Sequence, residues 1–450
     1  MTGPRRRGLH AFDAAALAAA LLPGTANAAT LTYPGVAPCN TTLQACVTGA
    51  GANDTIEIAQ NALIAESVDI DKSLTIQPAA GFLPQVQFLY TIVTTTSKNV
   101  TVRGMAGGYG VRGYLAPGGG SLVLTIENST FTAGTWPAIT VDTNYIAGTY
   151  GTVTLVATGN TITVNGGDFS CVSGISASTT GPTTLDATIV GNDINVNNLS
   201  QCGGIEAVVG GAGSGSVLIE RNEIRGVDFD FGIQFRHFGA NVGDPTFPFD
   251  GTIVNNLVVG QNGNTGAPAG IVLIADGNNS LLRPTVVNNT VAGGRRGLFA
   301  GGRTDLGADV QGLIANNILA FNSSYDLGID PGLPLLVNDH NLVTSLGDYG
   351  FVPGPGTRIG NPGFVNAAGG DYHLLADSPA IDAGRDSALD ASFTIDLDGA
   401  ARRFGRIDMG AYESPYRAAP APVPVGGPAS LALVAMLIGW LARRRLAAFR

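Results

Sequence analysis

The stretch Ile253-Val-Asn-Asn256-Leu-Val258 returns five more times in altered form, and that recurrence decides the fold. Val286-Val-Asn-Asn289-Thr-Val291 and Ile314-Ala-Asn-Asn317-Ile-Leu319 follow it. Ile219-Glu-Arg-Asn222-Glu-Ile224, Ile189-Val-Gly-Asn192-Asp-Ile194 and Ala157-Thr-Gly-Asn160-Thr-Ile162 precede it. From Asn160 onward the steps between the asparagines are 32, 30, 34, 33 and 28 residues. A period in this range belongs to a solenoid, in which each unit is stable only when its neighbours cover it. The flanking residues are aliphatic or β-branched in short alternating runs punctuated by Gly and Asn, so the unit is strand–turn–strand. The fold class is all-β, a right-handed parallel β-helix.

Rungs of such a helix stack at strand spacing, ~4.8 Å, so residues at equivalent turns form columns. Asn at a sharp bend tolerates left-handed backbone angles, and its amide can bond the Asn above and below. Weaker copies extend the column at Asn99, Asn128 and Asn341, giving nine rungs and a rod of roughly 40 Å. A sandwich or propeller of hairpins would instead show two-residue turns every 8–12 residues and blade signatures. Those are absent.

Cys171 falls 11 residues after Asn160 and Cys202 falls 10 after Asn192, the same place on adjacent rungs, within reach of a disulfide. Cys39 and Cys46 lie seven apart and could close a small loop. Four cysteines allow three pairings, and export favours disulfides over free thiols.

A solenoid can occupy 450 residues as one body. Gly, at 64 residues, is about twice as frequent as usual, as tight turns in every rung require. Charged residues make up 13%, lysine occurs only at Lys72 and Lys98, and the net charge is −10. No basic stripe exists to hold nucleic acid.

Both ends carry addresses. Arg5 to Arg7, the apolar run Ala14 to Leu22 and Ala26-Asn27-Ala28 make a secretory signal over residues 1–28, too short in its apolar part for an anchor. Residues 418–424 are a proline-rich linker. The 425–450 tail opens with an 18-residue uncharged run, Val425 to Ala442, followed by Arg443 to Arg445. That order reads as a transmembrane helix with its end held in the cytoplasm. It resembles the C-terminal sorting signals read by exosortase-type enzymes of Gram-negative bacteria, which implies a sorting protease as partner. The tail departs from their Val-Pro-Glu-Pro signature, with Val423-Pro424-Val425-Gly426 in its place.

Thr42-Leu-Gln-Ala-Cys-Val, Asn53-Asp-Thr-Ile-Glu-Ile and Lys72-Ser-Leu-Thr-Ile-Gln77 resemble the helical cap and first rung of pectin-lyase-like β-helix proteins, here residues 29–80. Residues 81–345 would be the helix proper. Within 346–417, Asn361-Pro-Gly-Phe-Val, Gly370-Asp-Tyr-His-Leu374, Asp377-Ser-Pro-Ala-Ile-Asp-Ala-Gly384, Asp396-Leu-Asp-Gly399 and Ile407-Asp-Met-Gly-Ala-Tyr-Glu413 resemble the choice-of-anchor Q domain. The resemblance implies a β-helix displayed on a bacterial surface, and it brings no catalytic residues. Read on its own residues, this block sets Asp382, Asp398 and Asp408 beside turns, where with Arg402, Arg403 and Arg406 they would form a clasp closing the last rung. The competing reading is a calcium site at Asp396 and Asp398, although the full loop pattern is missing.

Chemistry is best sought in Val227-Asp-Phe-Asp-Phe-Gly-Ile-Gln-Phe-Arg-His-Phe238. Asp228 and Asp230 alternate and would share one strand face, with Phe229 and Phe231 on the other. Arg236 and His237 follow, and Arg295 holds the place of Asp228 two rungs on. A solvated strand face and core-filling phenylalanines explain the same pattern. His340 and His373 lack partners at metal-ligand spacing, and no Gly-His-Gly, Asn-Thr-Asp or Asp-Pro-His motif occurs. No cofactor is expected unless calcium binds.

The expected function is therefore an exported, envelope-anchored scaffold or a glycan- or matrix-binding protein without catalysis. The alternative is a polysaccharide lyase or related carbohydrate-active enzyme, with polysaccharide as partner and a groove at Asp228–His237. A self-associating adhesin would need an open strand edge, which caps at both ends should block.

Overall fold

The computed structural model describes residues 28–143, 151–165, 172–197, 203–227, 230–239, 247–260, 269–345, 347, 349 and 352–418. Among the described residues three parallel sheets, of 13, 10 and 9 strands, build a β-helix. The first begins at Thr30–Tyr33 and ends at Leu336–Asp339. The second runs from Leu63–Asp69 to Tyr325–Ile329, and the third from Thr130–Ala133 to Arg358–Ile359. Neighbouring strands are parallel, as in Leu122–Glu127 beside Thr152–Thr158. The first sheet makes the rod longer than the asparagines foretold, roughly 50–60 Å at strand spacing. The Asn column exists only where a third sheet follows the bend, and the first rungs have none.

Alternation builds the core. Leu122, Leu124 and Ile126 point inward, and Val153, Leu155 and Ala157 stack on them in register. Gly251 interrupts one inward column for a steric reason. A Cβ there would lie 2.5 Å from the ring of Phe235, which packs on Phe249 with centroids 4.5 Å apart.

The asparagine ladder is continuous from Asn160 to Asn341. Each Oδ1 accepts the backbone N–H and the Nδ2–H of the preceding Asn, the amide-to-amide bonds measuring 2.8–3.0 Å. Each Nδ2 also donates to a carbonyl of an earlier rung, as Asn256 does to Ile219 at 2.9 Å. Of the weaker copies only Asn341 joins. Ser129, not Asn128, continues the column, its N–H donating to Asn160 Oδ1 at 3.0 Å. Asn99 is exposed on Lys98–Arg103 in the first sheet.

One expectation about the bend is corrected. The ladder asparagines do not take the left-handed conformation; the residue before each one does. That column reads Asn128, Gly159, Gly191, Arg221, Asn255, Asn288, Asn316 and His340, with φ between 48° and 64°.

At the N-terminal end, helix Leu43–Gly49 buries Leu43, Cys46 and Val47 against the first rungs. Thr42 caps it by accepting from Ala45 N, and Glu66 accepts from Leu43 N and Gln44 N. Lys72 Nζ donates to the carbonyls of Thr48 and Ala50 at the other end. Cys39 and Cys46 are joined in a disulfide. Residues 29–80 already hold three strands of the first sheet, not one rung. Cys171, Cys202 and the stretches read from sequence as a signal segment and a sorting tail lie, Ala28 apart, outside the described residues. Among the described residues no helix is long and apolar enough to cross a membrane.

The C-terminal block does not close the last rung. After Arg358–Ile359, which still pairs in the third sheet, the chain turns back along the flank of the rod. Phe364, Tyr372, Leu374, Met409 and Tyr412 pack on Leu257, Ala292, Ile318 and Leu342. The left-handed residues beneath it provide the polar attachment. Asn255 Nδ2 donates to Ile395 O, Asn288 Nδ2 to Asp408 O, and Asn316 Nδ2 to Arg385 O, while Arg385 N donates back to Asn316 Oδ1. The bend column carries Asn at these three covered rungs and Gly or Arg at Gly159, Gly191 and Arg221 before them.

Candidate functional site

The expected groove residues separate in the structure. Strand Phe231–Phe238 lies in the second sheet between Gly203–Gly210 and Ala269–Ala275. Adjacent residues of a strand face opposite ways, so Arg236 and His237 cannot share a site. Arg236 turns outward and binds Asp276 in a two-pronged ion pair. His237 is buried, its Nδ1 accepting from Leu281 N at 3.2 Å and its Nε2 lying 3.4 Å from Gly211 O. Both nitrogens are engaged by backbone, a structural role. Asp230 sits at the bend before the strand, its carbonyl accepting from Ala269 N. Phe231 joins Ala269 and Val272 in a small apolar cluster. Asp228 and Phe229 lie outside the described residues.

The Asp396–Asp398 stretch is closed by protein donors. Asp396 accepts from Ala400 N and Glu413 N, both at 2.8 Å. Asp398 contacts His373 Nε2 at 2.6 Å, and Asp371 contacts Nδ1 at 2.7 Å. Burial alone would lower the His373 imidazole, but these two carboxylates raise it above its ordinary value. Among the described residues no group of three or more His, Cys, Asp or Glu could hold a metal.

The open chemistry lies elsewhere, on the outer face of the second sheet toward its N-terminal end. A cleft of about 360 Å³ is lined by Ser67, Phe88, Tyr90, Arg112, Tyr114 and Trp136. A second of equal volume adjoins it across Phe88 and Trp136 and reaches Tyr109. Parallel register assembles these residues: Ser67 pairs with Phe88, Tyr90 with Arg112, and Arg112 with Thr140. Trp136 comes from the turn between Thr130–Ala133 and Ile139–Thr143, where Gly134 and Pro137 break the strand. Trp136 is 53% exposed and Tyr109 46%, an uncovered aromatic surface of the kind that marks binding sites. Arg112 lies between two rings, its guanidinium carbon 4.3 Å from the Trp136 centroid and 5.2 Å from that of Phe88. Burial lowers its pKa, and Tyr114 opposes the shift.

Two carboxyls continue the same face. Asp142 pairs in register with the cleft residue Tyr114, and Glu206 with Ser176, whose hydroxyl donates to it at 3.2 Å. Burial pushes Asp142 up to about 6; a backbone bond from Thr143 resists this and the Glu206 charge adds to it. Burial also raises Glu206, against the Ser176 hydrogen bond. Because the folded value of Asp142 lies above the unfolded ~3.9, ionisation weakens the fold as pH rises through that window, with the full effect above about 6. Asp142→Asn is therefore expected to stabilise the protein by roughly 2 kcal/mol at pH 7, with the gain vanishing near pH 4. Melting curves at both pH values check it; an equal shift at both would contradict the buried-carboxyl account.

Nothing local in the sequence announces this cleft, since its residues come from separate rungs. The one available signal was Trp136, one of only two tryptophans in the chain.

No family model matches the chain, the choice-of-anchor Q domain included, and no curated protein matches it. Among solved structures it is similar to pectate lyase Pel9A at 14% identity and a TM-score of 0.41, covering 87% of this chain and 97% of that one. The parallel β-helix stands on the sheets described above.

Proposed function

We propose that this chain is an exported, envelope-anchored β-helix that holds a glycan in the Phe88–Tyr109–Trp136 cleft, a scaffold or matrix-binding protein and not a catalyst. The exposed aromatic cleft carries the reading: flat rings around a shallow groove stack on the apolar faces of sugar rings, and a rigid solenoid fixes their spacing. The signal segment and the sorting tail support export and retention, with a sorting protease acting on the tail.

One cell-based experiment covers address and binding. Cells carrying the full chain should capture fluorescent polysaccharide, and Trp136→Ala should reduce capture at least tenfold. Removing residues 419–450 should move the protein into the medium. Capture unchanged by Trp136→Ala would dismiss the cleft, and retention without the tail would dismiss the anchor.

Asp142, pushed up to about 6, favours a second reading, a carbohydrate-active enzyme, because a carboxyl whose pKa is lifted toward neutrality is suited to proton transfer as a general acid or base. The same captured polysaccharide, scored for reducing ends and unsaturated products, separates the two. Product formation lost in Asp142→Asn would replace the binding reading by the enzymatic one.

A further inference from the structure

The interior of the C-terminal block holds more carboxyls than cations. Arg402, Asp396, Asp408 and Glu413 are all buried there, one guanidinium among three carboxyls. Arg402 lies 3.8 Å from Glu413 and donates to the carbonyls of Asp408 and Gly410, and the charges of all three acids act on it. Asp382 adds a carboxyl at the rim, where it accepts from Arg406 N and Ala418 N and lies 3.8 Å from Arg417. Asp386 accepts from Ile407 N, and Arg403 donates to Leu389 O. Across a cavity of about 410 Å³, Glu413 also faces His373 and Asp398, which pair with each other at 2.6 Å. The rod beneath contributes neutral contacts: Asn288 donates to Asp408 O, and Thr290 accepts from Ala411 N. A buried carboxylate with no cation of its own is strongly unfavourable, and a carboxyl so placed keeps its proton.

We propose that this cluster is a pH-operated latch, which holds the block on the flank of the rod in mild acid and lets it open above neutrality. The inference is independent of the glycan reading. Burial pushes Asp408 up to about 6, against backbone bonds from Asp382 and Ser414 and the Arg402 charge, and the Asp382 charge adds to the rise. Burial likewise pushes Glu413 up to about 7, with Arg402 opposing and Asp408 adding. In an open block the two carboxyls return to ~3.9 and ~4.3, so the closed block binds more protons in the interval between. Its stability is therefore fully present below about pH 4 and is lost as pH rises through about 6 and about 7. Opening uncovers Asn255, Asn288 and Asn316 with the apolar seam of Leu257, Ala292, Ile318 and Leu342. It also releases Ala418 from its seat on Asp382.

Hydrogen exchange read by mass spectrometry on the full-length protein in detergent tests the latch. Rates at pH 5, 6, 7 and 8 are each divided by the intrinsic rate at that pH, which leaves the opening equilibrium of every segment. Residues 361–418 are expected to open on the order of a hundredfold more at pH 8 than at pH 5. Strand Leu122–Glu127 should stay protected throughout, because the block opens alone. Glu413→Gln and Asp408→Asn should each cut the pH response of the block roughly fivefold. Asp390→Asn, at an exposed carboxyl of the same block, should leave it intact. The wild-type profile needs no variant to fold: a flat profile, or opening that grows toward acid, would overturn the latch. Loss of protection in block and rod together would overturn it as well, since the transition would then belong to the whole molecule.

Discussion

Replacing Arg402 with alanine is expected to detach the C-terminal block while the β-helix stays folded. Arg402 is fully buried and sits at the centre of the block. Its Nη2 donates to the carbonyls of Asp408 and Gly410 at 3.0 and 2.7 Å, and its Nε lies 3.8 Å from Glu413 Oε2. Around it Asp408 accepts from Asp382 N and Ser414 N, and Glu413 accepts from Phe404 N and Asp408 N. Burial raises Glu413 to about 7, and Arg402 is the charge that opposes the rise. Without the guanidinium, buried carboxylates and two carbonyls lose their partner, which should destabilise the block by ~3–5 kcal/mol. Limited proteolysis should then cut between residues 360 and 418 while the main melting transition is unchanged. Arg402→Met combined with Glu413→Gln should recover part of the loss, because the pair is removed together. A single variant as protease-resistant as wild type would mean the arginine does not hold the block.

Asn256→Ala should lower the stability of the helix itself by ~2–4 kcal/mol. The side chain accepts from Asn222 N and Nδ2 and donates to Ile219 O, Val254 O and Asn289 Oδ1, all inside the rod. Alanine leaves several of these buried groups unpaired at once. Asn99→Ala, at an exposed position outside the ladder, should change stability by less than ~0.5 kcal/mol. Denaturant melts of the two variants decide the matter, and equal shifts would mean the ladder contributes nothing of its own.

The ladder was legible because one residue type recurs at one place among aliphatic neighbours. The left-handed column beside it was not. Gly159, Gly191, Arg221, Asn255 and His340 share a backbone angle and no side-chain chemistry, so no repeat is visible. The opposite facing of Arg236 and His237 was readable from strand alternation alone. The route of the C-terminal block was hidden for a different reason. Its attachments join residues such as Asn288 and Asp408, 120 apart, and turn signals at Asp382 and Asp408 say nothing about which surface the turns rest on. The Arg112 cleft is likewise a product of register, assembled from strands whose own sequences look like ordinary half-exposed sheet.

The lateral seat of the C-terminal block has a mechanical consequence. The described chain ends at Ala418, whose N–H donates to Asp382, within the block and beside the rod instead of at its tip. Tension applied through the residues that follow therefore enters from the side. It loads the Asn255, Asn288 and Asn316 attachments and the apolar seam together. A tether on the last strand would open the solenoid as a zipper opens, one rung at a time. Here several rungs share the pull at once, so the rupture force grows with the length of the seam.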